Sequence, residues 1–332
     1  MNSNRSRCIR GAAVNGYRLL AKVTAVAMFV GLAGAMINQA ARAYADDSLA
    51  GSETALILGG SGEPTPSTEV AQTVEDLYLH PLGFDGGATD STVCDMIGTD
   101  PCAAPLQVLT TPELVQQGPS SLTGADDVVL AVENEFNANP GAFNAEHPLT
   151  IFGYSQSATV ESIAMTRLDE AGIPSDDLHF VFIGDPSLPV TGAWSNLEPD
   201  LASLVGSTEA NTILTDLGID GVLGNVTPND LYPATIYSLA TDPLPNFQED
   251  FATQGLSGTL LDVFVHLGYL GLTPTQVADA TTSTDGDLTY VDISDNINNF
   301  DAFIGEIEHG GFSSGLFESL FESLQLYLTN MF

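Results

Sequence analysis

The chain is 332 residues long, with 43 acidic and 7 basic residues and a formal net charge of −36 at neutral pH. So acidic a surface repels phosphate backbones and anionic head groups, which excludes nucleic-acid binding from the functions considered. With 44% of its residues apolar, the chain has the material for a folded core and is not an acidic disordered polymer.

Residues 1–45 differ in kind from the rest. Arg5, Arg7, Arg10, Arg18 and Lys22 precede an uncharged apolar run over 23–37, and Ala43-Tyr44-Ala45 supplies the small residues that signal peptidases accept. The segment reads as a signal peptide cleaved before Asp46. An uncleaved N-terminal membrane anchor is the rival reading, because the apolar run over 21–37 approaches the shortest stretch that can cross a bilayer. Both readings place the remainder outside the cytoplasm, secreted or in the cell envelope. Once the segment is set aside, Arg167 alone stands against all the acidic residues.

Residues 46–332 suit one α/β domain. A strand is predicted at 54–58, followed by Gly59-Gly60-Ser61-Gly62 and a helix over 67–79. This glycine loop lacks the Lys-Ser/Thr ending of a phosphate loop and the third glycine of a dinucleotide fingerprint. Cys94 and Cys102 are the two cysteines outside the export segment. A short loop with Gly98 and Pro101 joins them, so a disulfide is expected. Two thiols with no nearby histidine do not complete a metal site. A strand at 106–109 and a helix over 123–137 come next.

The run over 149–152 passes into Gly153-Tyr154-Ser155-Gln156-Ser157 and a helix over 158–171. A strand that turns sharply into a helix holds a serine hydroxyl out at the strand end, and small residues two before and two after it let the backbones pass. Gly153 and Ser157 fill those slots, so Ser155 is the candidate nucleophile. Strands follow at 180–184 and 234–240, the latter taken as the last. The stretch 192–233 between them has few periodic runs and reads as a lid-like insertion over the active face. An apolar segment spans 260–272. Residues 315–332 carry apolar side chains at helical spacing and read as a C-terminal amphipathic helix packed on the body, with lipid contact as the rival.

An activated serine needs a base to take its proton and a carboxylate to orient that base, in the chain order serine, acid, histidine. His266 and His309 follow Ser155, whereas His179 opens a buried strand and reads as a packed residue. Asp242 ends the strand at 234–240 on the edge where the elbow presents its hydroxyl. Asp242 and His266 complete the expected triad, with Asp185 and His309 as alternates. The oxyanion hole is expected from Gln156, whose amide follows the nucleophile, and from Gly60 and Ser61 in the first loop.

Over residues 54 to about 269 the chain resembles the PE-PPE domain family of serine hydrolases. The likeness rests on Leu56-Ile57-Leu58-Gly59-Gly60-Ser61-Gly62-Glu63-Pro64-Thr65-Pro66, on Gly153-Tyr154-Ser155-Gln156-Ser157-Ala158 and on Ile183-Gly184-Asp185-Pro186. The family accepts serine at the last elbow slot and matches Asp242-Pro243 and His266, while 192–233 departs from it. The resemblance implies a cutinase-like α/β-hydrolase fold, a mostly parallel sheet flanked by helices. It also implies acyl transfer through Ser155, with no metal or organic cofactor. If water is the acceptor the chain is an esterase or lipase acting on an acyl ester; if a sugar is the acceptor it is an envelope glycolipid acyltransferase. A third reading is a catalytically inactive binding module. The apolar stretch over 256–272 suggests an acyl chain of some length.

Overall fold

Three mostly apolar strands set the middle of the sheet: β4 (Leu149–Tyr154), β5 (Leu178–Ile183) and β6 (Ala234–Leu239) are buried at every position, Thr150, His179, Thr235 and Ser238 included. Strands with no exposed face have both faces covered, the condition of a parallel sheet between helical layers. The computed structural model describes residues 48–86, 91–262, 265–294 and 299–308, with side chains at 256–262, 299–300 and 308 left aside. The export segment, His309 and the expected helix at 315–332 lie outside the described residues.

With β1 (Ala55–Ile57), β2 (Val93–Asp95), β3 (Leu106–Val108), β7 (Thr281–Asp285) and β8 (Leu288–Ile293), the sheet has eight strands in the order β2-β3-β1-β4-β5-β6-β8-β7. All neighbours are parallel except the final β7–β8 pair. This is an α/β-hydrolase fold. The strand at 234–240 is therefore not the last. The sequence Thr-Thr-Ser-Thr-Asp of β7 is exposed throughout and offers no apolar signal, and β7 turns into β8 at Gly286, whose φ of +61° suits glycine.

Helix α1 (Thr68–Val74) is capped by Ser67, whose hydroxyl accepts from the Val70 amide at 3.2 Å, and continues as a single π turn over Glu75–Leu79. It packs one face of the sheet together with Tyr78, Tyr237 and Tyr269. Helices α2 (Gln117–Ala138) and α3 (Gln156–Ala171) pack the other face. Helix α2 begins six residues before the expected 123, and Pro119 sits in its first turn, where a missing N–H costs nothing.

The excursion over 192–233, expected to hold few periodic runs, forms α4 (Ala193–Val205) and α5 (Ser207–Asp216) around a small core of Trp194, Leu201, Leu214 and Phe247. Pro199 within α4 and Gly206 between the two helices interrupt the helical pattern that would have revealed them. The excursion lies against the start of α2. A Cβ on Gly118 would stand 2.8 Å from the Gly221 amide nitrogen. Beyond β6 come α6 (Phe247–Asp262), which bends at Gly255, the short turns Val265–Leu267 and Tyr269–Gly271, α7 (Pro274–Ala278) and α8 (Asn299–Glu308).

Candidate active site

Between β4 and α3 the chain makes its sharp turn at Ser155, with φ 58° and ψ −108°. A non-glycine residue rarely adopts such a conformation outside strained functional turns. The turn has no room for side chains at its base: a Cβ on Gly153 would lie 2.7 Å from Glu161 Oε1 and 2.8 Å from the Ala158 amide nitrogen. Ser157 does more than fit its slot. Its Oγ accepts from the Tyr154 amide at 2.7 Å and donates to the Tyr154 carbonyl at 3.1 Å, so it ties the turn together.

The structure brings Ser155, His266 and Asp242 together from three separate segments. His266 Nε2 lies 2.7 Å from Ser155 Oγ, and His266 Nδ1 lies 2.7 Å from Asp242 Oδ2. Asp242 is fully buried and His266 nearly so, while Ser155 keeps partial access to solvent. The Leu244 amide donates to Asp242 Oδ1 at 2.9 Å, and the Tyr269 hydroxyl donates to Oδ2 at 2.7 Å. Tyr269 also accepts from the Leu239 amide at 2.9 Å. Burial and the Asp242 charge push the Tyr269 hydroxyl well above its ordinary range, so it remains a donor.

Two residues beside this group escaped sequence reasoning. Tyr269 stands three residues after His266, and that spacing in an apolar turn was the available signal. Gly184 carries φ +59°, and a Cβ there would stand 2.7 Å from His266 Cε1 and 2.9 Å from Tyr269 Cε2. The position therefore has to stay bare for the imidazole to lie where it does.

On the other side of Ser155, the first-loop glycine Gly60 runs against the elbow; a Cβ on it would be 3.7 Å from Ser155 Cβ. Ser61 Oγ donates to Gln156 Oε1 at 2.8 Å and accepts from Gln117 Nε2 at 2.8 Å, and Gln117 also donates to Gln156 Oε1 at 3.2 Å. Gln117, the first residue of α2, is a third residue that sequence reasoning missed; nothing local to it marks the contact. The amide of Gln156 opens α3, a position with no intrahelical acceptor, where the helix dipole favours negative charge.

Asp185, the alternate acid, lies elsewhere. Its carboxylate accepts from Thr227 Oγ1 at 2.6 Å and from the Ser187 amide at 2.8 Å, anchoring the return of the excursion. His179 is buried against Thr235. The described part of the apolar segment also differs from expectation: Val265, Tyr269, Leu270 and Leu272 are buried in the core beside the sheet, so they offer no wall for an acyl chain. Cys94 and Cys102 form a disulfide at the β2 edge. Among the described residues no group of His, Cys, Asp or Glu could hold a metal ion, and no helix is long and apolar enough to cross a membrane.

Sheet order and the hydrogen-bonded serine, histidine and aspartate define a chain of the α/β-hydrolase class. Residues 102–249 match the PE-PPE domain. The match includes Ser155, Gln156 and Asp242, whereas Gly60, Ser61 and His266 lie outside it. The chain is 28% identical over 252 residues to the uncharacterized PPE family protein PPE28 of Mycobacterium tuberculosis, covering 73% of this chain and 33% of that protein. It is 30% identical over 274 residues to Esterase PE16 of the same species, covering 78% of this chain and 45% of the relative. The chain thus spans between a third and a half of the length of these relatives. A cutinase-like protein from Cryptococcus sp. shares 16% identity and a TM-score of 0.33, covering 68% of this chain and 98% of its own. The fold assignment rests on the order and direction of the strands.

Proposed function

We propose that this chain is a serine hydrolase of the esterase or lipase type, acting on acyl esters. The observation that carries the reading is the line Ser155 Oγ, His266 and Asp242, joined at 2.7 Å on each side. Its mechanism follows from those contacts. Ser155 Oγ attacks the ester carbonyl carbon while His266 Nε2 takes the hydroxyl proton, and Asp242 keeps the imidazole in the tautomer that can accept it. Negative charge forms on the carbonyl oxygen, where the backbone N–H groups of Gln156 at the start of α3 and of Ser61 in the first loop stabilise it. The C–O bond to the alcohol then breaks, and the leaving oxygen takes the proton from His266. Water repeats the sequence on the acyl-Ser155 ester, releasing the acid and restoring the serine. Burial of His266 and Asp242 keeps competing water from their hydrogen bonds.

The name Esterase PE16 supports the ester class for the substrate. The chain is proposed to be exported, either secreted or held in the cell envelope by its N-terminal segment. The run of basic residues before an apolar stretch and the disulfide both support an oxidising destination. The excursion holding α4 and α5 is proposed to act as the lid, since it packs on Gly118, the neighbour of Gln117, whose side chain reaches Ser61 and Gln156.

The test is turnover of p-nitrophenyl esters of increasing chain length by the purified protein. Ester hydrolysis is expected, and Ser155→Ala should lower kcat by on the order of 10⁴-fold or more. Hydrolysis unchanged in Ser155→Ala would overturn the reading.

A further inference from the structure

Besides Asp242, Glu306 is a fully buried carboxylate that reaches the turn carrying His266, and the mechanism above does not use it. It comes from α8, outside the residues that match the family domain. That helix approaches the turn at van der Waals limits: a Cβ on Gly305 would lie 2.8 Å from Gly271 Cα, and one on Gly271 would lie 1.8 Å from the Ala302 carbonyl oxygen. Glycines at both positions bring the two backbones together and carry the Glu306 side chain to the turn.

Its hydrogen bonds reach both ends of that turn. Glu306 Oε2 accepts from the Leu270 amide at 3.0 Å, and Oε1 lies 2.9 Å from the Tyr154 hydroxyl. The same hydroxyl lies 2.6 Å from the carbonyl oxygen of His266. A phenol has one hydrogen, and here it faces two oxygens. An ionised Glu306 would leave one of these contacts as a meeting of two acceptors. A carboxylic acid resolves the count: Glu306 donates to the Tyr154 oxygen, Tyr154 donates to the His266 carbonyl, and Leu270 donates to the remaining Glu306 oxygen. Burial favours the same state, pushing the Glu306 carboxyl well above the usual carboxylate range, and the Tyr154 hydroxyl is likewise pushed well above its own.

We propose that Glu306, as a hydrogen-bond donor acting through Tyr154, is a positioning residue that holds the His266 turn so that the imidazole lies in line between Asp242 and Ser155. The proposal rests on the serine hydrolase reading for its kinetic consequence but not for its structural one. It acts on the turn backbone, whereas Tyr269 and Gly184 act on the side chains.

Glu306→Gln, Glu306→Leu and Tyr154→Phe are compared in the purified protein. Glutamine has an NH₂ to donate to Tyr154 and a carbonyl to accept from Leu270, so it replaces the neutral acid group for group. Tyr154→Phe keeps the ring in the core and removes only the hydroxyl, which keeps the test valid should Glu306→Leu fold poorly. Ester kinetics should show kcat lowered on the order of 10-fold to 100-fold in Glu306→Leu and Tyr154→Phe with KM within about 2-fold, and most of kcat retained in Glu306→Gln. Proton NMR of the His266 Nδ1–H in its bond to Asp242 gives a reading that needs no turnover. That downfield resonance should persist in Glu306→Gln and be lost or broadened in the other two. A folded Tyr154→Phe with the resonance and kcat of the parent, or Glu306→Gln as impaired as Glu306→Leu, overturns the proposal. A parent protein that shows the resonance but no turnover counts against the hydrolase reading alone, and the positioning role is then decided by the resonance in the variants.

Discussion

Gly184 is the residue whose role can be stated most sharply. Its φ of +59° disfavours any side chain, and the space a Cβ would take is already filled by the imidazole of His266 at 2.7 Å. Gly184→Ala should therefore force the imidazole away from Ser155 as well as strain the backbone. We expect a stability loss of about 1–3 kcal/mol and a drop in kcat of about 10-fold or more, measured by thermal melts and ester turnover on the same preparation. A folded variant with parental kcat would contradict this. Much of the site could be read from the sequence, because a strand, a Gly-x-Ser-x-Ser turn and a helix identify Ser155, and chain order then leaves few candidates for the other two places. Asp242 and His266 were reachable that way. Gly184, Tyr269 and Gln117 were not, since each acts through a contact fixed only once the strand register and the approach of α2 are known.

Among the elements, β2 shows how local structure and chemistry separate. Its Cys94 is joined to Cys102 across a sequence separation of 8, at the edge of the sheet farthest from β6 and Asp242. Cys94→Ser should lower stability by about 2–3 kcal/mol, the loop-closure contribution of a short bridge, and leave kcat unchanged. Denaturant melts with and without reductant check the first part: the parent should lose that stability on reduction and the variant should not respond. The central strands were legible as mostly apolar runs. By contrast β7 has no apolar face, and α4 and α5 are interrupted by Pro199 and Gly206, so periodicity could not reveal them. An apolar run has the same composition whether it lines a groove or fills a core, and residues 265–272, the part of the expected acyl-binding segment whose side chains are described, contribute Val265, Tyr269, Leu270 and Leu272 to the core.

At the scale of the molecule, buried acids govern the response to pH. Burial raises Glu113 from an ordinary 4.5 to about 8 and Asp185 from 3.8 to about 6. Each holds its proton in the fold at pH values where the unfolded chain has lost it, so their contribution to stability falls as pH rises from about 4 through 8. His80 is raised from 6.5 to about 9, first by its hydrogen bond to Asp76 and then by that to Glu75. Its contribution is fully present below 6.5 and is lost as pH rises through about 9. These effects run the same way, and the large negative charge adds repulsion on the alkaline side. The melting temperature should therefore be higher at pH 5 to 6 than at neutrality and decline further toward pH 9. Glu113→Gln should flatten the decline above pH 6 in part, because it removes one of the groups that titrate there. A melting temperature that rises from pH 6 to 9 would contradict the assignment of these protons.

The most direct measurement is covalent: the purified protein is treated with a fluorophosphonate probe and the adduct located by mass spectrometry, alongside Ser155→Ala and His266→Ala. The account predicts a single adduct on Ser155, absent in Ser155→Ala and strongly slowed in His266→Ala, because only a serine whose proton His266 can take will attack the phosphorus. A folded parent protein that takes no label, or labels equally well with His266 removed, would contradict an activated Ser155 and with it the hydrolase function.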